Sequence, residues 1–186
     1  SLFGTDARRG SDEYGTDILE LMSDVEIAAV KKATEDYYFP AIIEGTVNIS
    51  FFDQQGHQDY PKPYERKDLD QFIRLVKFAK RNEDEVGDTK EFAKLNAYQG
   101  LQLGRIAFEA AEEDEAISTK ANCIALMRGT GMIINYVKLG SENYEAAVGA
   151  FVAHDDVWDY LKMAENAAHS EWEPNARKLR QKFPEF

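Results

Sequence analysis

Cysteine and histidine are scarce in this chain. Cys123 is the single cysteine among 186 residues, so no intramolecular disulfide can form and the sequence gives no support for secretion. The three histidines, His57, His154 and His169, do not fall into a recognisable Ser/His/Asp or Cys/His arrangement. Nucleophilic catalysis therefore has no local support in the sequence.

Long apolar runs are also lacking. No stretch approaches the roughly 18 consecutive apolar residues that a membrane-spanning helix needs. The opening stretch SLFGTDARRGSDEYGTD does not have the pattern of a signal peptide. We therefore expect a cytoplasmic protein that has no membrane partner.

Positive charge is the third shortage. The chain has 22 basic residues against 34 acidic residues, and its formal net charge is −12 at pH 7. Proteins that bind nucleic acids gain affinity by neutralising phosphates with Lys and Arg. This composition therefore argues against a nucleic-acid partner, and it favours a protein partner with basic character.

Apolar residues make up 44% of the chain, which is enough to build a substantial core. The length suits one domain. Residues 1–16 contain three glycines and no helical period, so we expect a flexible N-terminal arm. We expect residues 17–186 to form a single, mainly helical domain.

The first helix is predicted from Ile27, Val30, Thr34 and Tyr37, which recur at helical spacing. Pro40 disfavours the helical conformation at the residue before it, so the helix is expected to end there.

A small β element, a hairpin or a single strand, is predicted near residues 37–53. Val47, Ile49 and Phe51 alternate with polar residues, which is the pattern of a half-buried strand. A strand needs a partner. It could be residues 37–43, the N-terminal arm, or the 46–52 stretch of a second copy in a homodimer.

The helical period dominates the rest of the sequence. Helices are predicted at about 69–79, 89–112, 115–138, 142–152 and 156–168, with a short closing helix that begins at Pro174. We therefore expect a mainly α fold, either a multi-helix bundle or stacked helix pairs, with the one small β element.

A faint internal repeat supports stacked helix pairs. The stretches LGRIAFEAAEEDEAI and NYVKLGSENYEAAVGAF share Leu-Gly and Glu-Ala pairs with an aromatic residue nearby. Over residues 100–155 this pattern resembles tetratricopeptide repeats, although the offset is shorter than that family's period of roughly 34 residues. The resemblance implies a binding surface but does not assign the chain to that family.

Two acidic pairs raise the possibility of a metal site. Glu85 and Asp88 have the E-x-x-D spacing of all-α nucleotide phosphohydrolases, and Glu65 and Asp68 could be the upstream pair. Carboxylates are ligands that Mg²⁺ accepts, so Mg²⁺ is the one cofactor that this alternative requires. Gly87 lies inside the second pair and disfavours a helix there. We favour the interpretation that these carboxylates cap helices.

Residues 154–156 offer a second metal motif. His154 and its two neighbours, Asp155 and Asp156, could contribute ligands, but a site would need a further His and a further Asp from elsewhere. We favour a helix start at Asp155. The MRGTGM stretch at residues 127–132 lacks the preceding strand and the Gly-Lys-Ser/Thr of a phosphate loop, so we interpret it as a helix kink.

Three functions remain open at this stage. The favoured one is a non-enzymatic protein–protein interaction module that uses an acidic and aromatic surface. The alternatives are a metal-dependent nucleotide phosphohydrolase with the four acidic ligands and a helical domain with a small-ligand pocket. Candidate lining residues for that pocket are Tyr98, Phe108, Tyr136 and Trp158.

Overall fold

The protein has a mixed α/β fold. The computed structural model describes residues 26–53, 55–80, 91–96 (backbone alone), 101–112, 120–140, 146–167, 170–173 and 175–182. These residues form helices α1 (Ile27–Ile43), α2 (Lys67–Lys80), α3 (Trp158–Ala164) and α4 (Arg177–Lys182), and strands β1 (Phe51–Phe52), β2 (Gln58–Asp59), β3 (Glu91–Asn96), β4 (Gln102–Ala110), β5 (Cys123–Arg128), β6 (Met132–Lys138) and β7 (Ala147–Ala153). The prediction of an all-α bundle or of stacked helix pairs is therefore wrong. The expected N-terminal arm lies outside the described residues.

A five-stranded sheet with the order β3-β4-β7-β5-β6 is the centre of the fold. The neighbouring pairs β3–β4, β4–β7 and β5–β6 are antiparallel, whereas β5 and β7 are parallel. β5 and β6 form a hairpin whose turn contains Gly131 with φ 81°. The chain places β7, the last strand, between the two earlier hairpins.

Helices α1 and α2 cover one face of the sheet. α2 packs on β7 and β4, and α1 packs on β6. Between them lies the main core, which contains these buried side chains from the helices and strands: Phe39, Leu69, Phe72, Leu75, Val76, Ala107, Ala125, Met127, Ile133, Val148 and Ala150. Cys123 also belongs to this core.

The strands misled sequence analysis because their residues are apolar almost throughout. β5 reads CIALMR and β7 reads AVGAFVA. Such short runs cannot be distinguished by periodicity from buried helix segments, and alanine favours helix. The predicted helices at 89–112, 115–138 and 142–152 are therefore wrong, and the described residues of the tetratricopeptide-like stretch include the strands β4 to β7. The Gly-Thr-Gly of MRGTGM is the β5–β6 hairpin turn and not a helix kink.

Small residues in β7 allow this central strand to pack closely with its neighbours. A Cβ atom added at Gly149 would lie 3.1 Å from Cγ1 of Ile124 on β5 and 3.3 Å from the carbonyl oxygen of Ala107 on β4. Glycine at this position therefore leaves the space that the Ile124 side chain occupies.

The small β element differs from the prediction. Residues 37–43 are helical, and the strand is limited to Phe51–Phe52, which pairs with Gln58–Asp59 of the same chain. Lys31 of α1 binds Asp59 at 2.6 Å, so the face with Phe51 and Asp59 is turned toward α1. Phe52 on the other face is 60% exposed. The expected strand partner is thus within the chain, while a homodimer through residues 46–52 stays a prediction.

Pro40 does not end α1, contrary to the prediction. Proline has no N–H group, so the carbonyl of Asp36, four residues earlier, loses its normal helical donor. The hydroxyl of Tyr136 on β6 donates to that carbonyl oxygen at 2.6 Å. Burial raises the pKa of the Tyr136 hydroxyl well above its ordinary value, so the group stays protonated and able to donate.

The helix ends instead one turn later, at a glycine. Gly45 has φ 70°, a conformation that glycine adopts without strain. Its N–H donates to the carbonyl of Ile42, and the N–H of Thr46 donates to that of Ala41. These two bonds are the Schellman arrangement that satisfies the last helical carbonyls.

The bond between Tyr136 and Asp36 predicts a specific double-mutant result. Tyr136→Phe leaves the Asp36 carbonyl without this donor and should lower the free energy of unfolding by about 1–3 kcal/mol. Pro40→Ala restores a backbone N–H at position 40, so the same Phe substitution should cost less in that background. Urea unfolding of the four proteins measures both effects. Equal costs in the two backgrounds would show that the hydroxyl does not replace the missing N–H.

Candidate functional site

The upstream acidic pair of the proposed metal site, Glu65 and Asp68, forms ion pairs with basic side chains. One carboxylate oxygen of Asp68 lies 2.5 Å from the Arg66 guanidinium and 3.0 Å from Nζ of Lys120. Glu65 lies in a short 3₁₀ helix, where it is exposed and pairs with Lys62 at 3.2 Å. Glu85 and Asp88 lie outside the described residues, so the four-ligand set stays a prediction.

Asp68 belongs to a cluster of five charged side chains, Glu35, Asp36, Arg66, Asp68 and Lys120, which we call the ion cluster. Arg66 lies 2.8 Å from Asp36 and 3.4 Å from Glu35, and Lys120 lies 2.5 Å from Asp36. The five side chains are only 6 to 18% exposed. The cluster connects α1, the start of α2 and the segment that leads into β5.

The charges in the ion cluster stabilise one another. Burial alone would raise the pKa of the Asp68 carboxyl, but hydrogen bonds from Arg66 and Lys120 outweigh that effect, and its pKa lies below the ordinary value. Burial alone would lower the pKa of Arg66, but the hydrogen bond to Asp68 and the charge of Asp36 raise it. Asp68 therefore acts as a structural anion in the described residues. It lies within the first turn of α2 and not at the expected cap position before it.

Within the part of the chain that the structure describes, no group of three or more His, Cys, Asp or Glu side chains is arranged to hold a metal ion. His154 is the N-cap of the short 3₁₀ helix Asp155–Val157 that leads into α3. Its Nδ1 atom accepts a hydrogen bond from the Asp156 backbone N–H at 3.2 Å. The helix start was predicted correctly to within one residue, but the capping side chain is His154 and not Asp155.

Three of the four aromatic residues proposed to line a small-ligand pocket lie in the described part of the chain, and these three do not come together. Tyr136 packs edge-on against Phe72 of α2 with 5.2 Å between ring centroids, which places it on the helix-covered face. Phe108 lies opposite Gly149 in the β4–β7 register, on the other face of the sheet from the buried Ala107. Trp158 packs against Arg128, and Tyr98 lies outside the described residues.

A surface groove runs between α1 and the edge strand β6. It is lined by residues of α1, by Met132 and Ile134 of β6 and by Ser170. We call this feature the α1 groove. Its volume is about 370 Å³, and its full lining is Val30, Ala33, Thr34, Tyr37, Tyr38, Met132, Ile134 and Ser170.

The stripe of α1 is the feature whose environment sequence analysis missed. An apolar stripe at helical spacing normally faces the core. Here Ile27, Val30 and Tyr37 are 44%, 40% and 37% exposed. The residues that α1 buries are instead Glu35, Phe39, Pro40 and Ala41. The ion cluster and the Tyr136 bond hold that side of the helix against the rest of the protein.

Comparison with known proteins gave no match to a protein-family model, to a curated protein or to a solved structure. Among the described helices, none combines the length and the apolar character needed to cross a membrane.

The ion cluster predicts a specific acid sensitivity. Because the pKa of Asp68 is lower in the folded protein than in the unfolded chain, its stabilisation is present above the unfolded pKa of about 3.9 and is lost as pH falls through the folded value. Asp68→Asn should lower stability at pH 7 and reduce the loss of stability below pH ~4. Urea unfolding at several pH values measures this slope.

Asp70→Asn is the matched control for Asp68→Asn. Asp70 lies in the same first turn of α2, so both substitutions change the interaction with the helix dipole in the same way. If the two variants show the same pH dependence, the ion pairs of Asp68 do not produce the acid sensitivity.

The structural interpretation of the carboxylates and the metal hypothesis predict different responses of the melting temperature to added metal. If the carboxylates serve structural roles, millimolar Mg²⁺ or Mn²⁺ should leave the melting temperature unchanged, since an ion that binds only the folded state raises it. Differential scanning fluorimetry with and without metal tests this. A rise that Glu85→Gln abolishes would restore the metal site and the phosphohydrolase alternative.

Proposed function

We propose that this protein is a non-enzymatic interaction module that holds an extended segment of a partner protein in the α1 groove. The observation that carries the proposal is the apolar stripe of α1, which is patterned for burial and yet faces outward. A side chain of the size of valine or isoleucine gains about 1.5–3 kcal/mol when it becomes fully buried. A partner that covers the stripe would provide that burial.

The position of β6 supports an extended partner segment. β6 is the last strand in the sheet order, and within the described residues its outer edge pairs with no strand. An unpaired edge presents backbone N–H and C=O groups to which another chain can add as a strand. The alternate side chains of such a strand would meet the apolar lining beside β6.

The charge of the chain supports a basic partner. A net charge of −12 attracts cationic surfaces and repels phosphate backbones, so the proposal includes a basic protein and excludes nucleic acid. It also includes a cytoplasmic location, which the single cysteine supports because intracellular proteins rarely depend on disulfides.

The proposal predicts that a charge in the α1 groove abolishes partner binding. Val30→Asp places a carboxylate where the partner would have to bury it, and an unpaired buried charge is strongly unfavourable. Proteins captured from lysate by the wild type should be missing from the Val30→Asp sample. For an identified partner, the dissociation constant should rise at least about tenfold, a change of ~1.4 kcal/mol.

Leu139→Asp provides the matched control, since Leu139 is similarly exposed but does not line the groove. Capture should survive this substitution and should weaken as salt screens the acidic surface. Equal capture by wild type and Val30→Asp would contradict the proposed site.

A further inference from the structure

A second concave site lies at one end of the sheet, separate from the α1 groove. Parallel strands β5 and β7 both end there, and β4 begins there. The cleft has a volume of about 350 Å³, within the range of small-molecule sites, which begins at roughly 300 Å³. Its lining includes Val152 of β7, which is partly buried, and charged residues from three different elements.

The positive groups of this cleft come from α2 and β4. Lys80 is the last residue of α2, and Arg105 lies on β4 opposite Val152 of β7. Lys80 also hydrogen-bonds the exposed carboxylate of Glu44. A guanidinium has five N–H donors, so Arg105 can bind a ligand in addition to its protein contacts.

The negative group of the cleft is Asp155, which follows β7. One of its carboxylate oxygens lies 3.3 Å from the position that a Cβ atom would take at Gly129, directly after β5. The short 3₁₀ helix that begins at Asp155 is fixed at its N-cap, because the N–H of His154 donates to the Leu103 carbonyl at 3.0 Å. The carboxylate is therefore held at the β5 side of the cleft.

The two signs of charge are separated across the sheet. β7 lies between β4 and β5, so the strand that carries Arg105 and the strand end beside Asp155 are two strand spacings apart, or about 10 Å. A ligand with a single charge can satisfy one side only. A ligand with an ammonium group at one end and a carboxylate at the other can satisfy both.

We propose that this cleft binds a small zwitterion, with its ammonium group at Asp155 and its carboxylate at Arg105 and Lys80. The ligand belongs to the class of amino acids whose two charges are separated by a short apolar chain. That chain lies over Val152. This site is independent of the α1 groove, so either proposal can fail without the other.

Calorimetric titration with a series of unbranched ω-amino acids, from two to eight carbons long, tests this proposal. At least one length should bind about tenfold or more tightly than the alkylamine and the alkylcarboxylate of equal chain length, a difference of ~1.4 kcal/mol. If no length exceeds its singly charged analogues, the proposal is overturned.

Two charge variants assign the ends of the ligand. Asp155→Asn should reduce the affinity of the best zwitterion to that of the alkylcarboxylate, and Arg105→Gln should reduce it to that of the alkylamine. Asp159→Asn, an exposed acid on α3 that does not line the cleft, should leave the affinity unchanged. Binding that both charge variants retain would contradict the assigned geometry.

Gly129→Ala provides a further test that leaves all charges in the cleft unchanged. It can be used if one of the charge variants does not fold. The added methyl group would crowd the Asp155 carboxylate, so the zwitterion should bind at least about tenfold more weakly while the protein keeps its circular dichroism spectrum. Unchanged binding by this variant would place the ligand elsewhere.

Discussion

The hydrogen bond from Tyr136 to the Asp36 carbonyl fixes how α1 sits on the sheet. It exists because Pro40 supplies no N–H at that turn, so a side chain from β6 takes its place. The ion cluster lies beside it and joins the same turn of α1 to α2. These polar contacts draw one side of α1 inward, and consequently its apolar stripe faces outward along the sheet edge.

The helices could be read from the sequence, but the sheet could not. α2 was predicted because Leu69, Phe72, Ile73 and Val76 recur at helical spacing over a long stretch, and that face is buried. β5 and β7 are short runs of mostly apolar residues, which periodicity alone cannot distinguish from buried helix segments. The available signal was the Gly-Thr-Gly between two apolar runs, which is typical of a hairpin turn.

The role of a carboxylate could be predicted from the sequence only in part, because its partners are known only from the fold. Asp68 was predicted to have a structural role as a helix cap. In the described residues it instead forms ion pairs with Arg66 and Lys120. Lys120 is far from Asp68 along the chain, and periodicity gives no information about such a long-range pair. In the same way, the chain positions of Arg105 and Asp155 gave no indication that they border one cleft.

Hydrogen exchange tests most directly whether the Tyr136 bond holds α1 in place. In wild type and Tyr136→Phe, amide exchange should be compared residue by residue under conditions where the protein stays folded. Our account predicts faster exchange along α1 in the variant, with little change in α2 and β7, because the lost hydrogen bond joins α1 to β6. Unchanged exchange in α1, or equal acceleration throughout the core, would contradict the account.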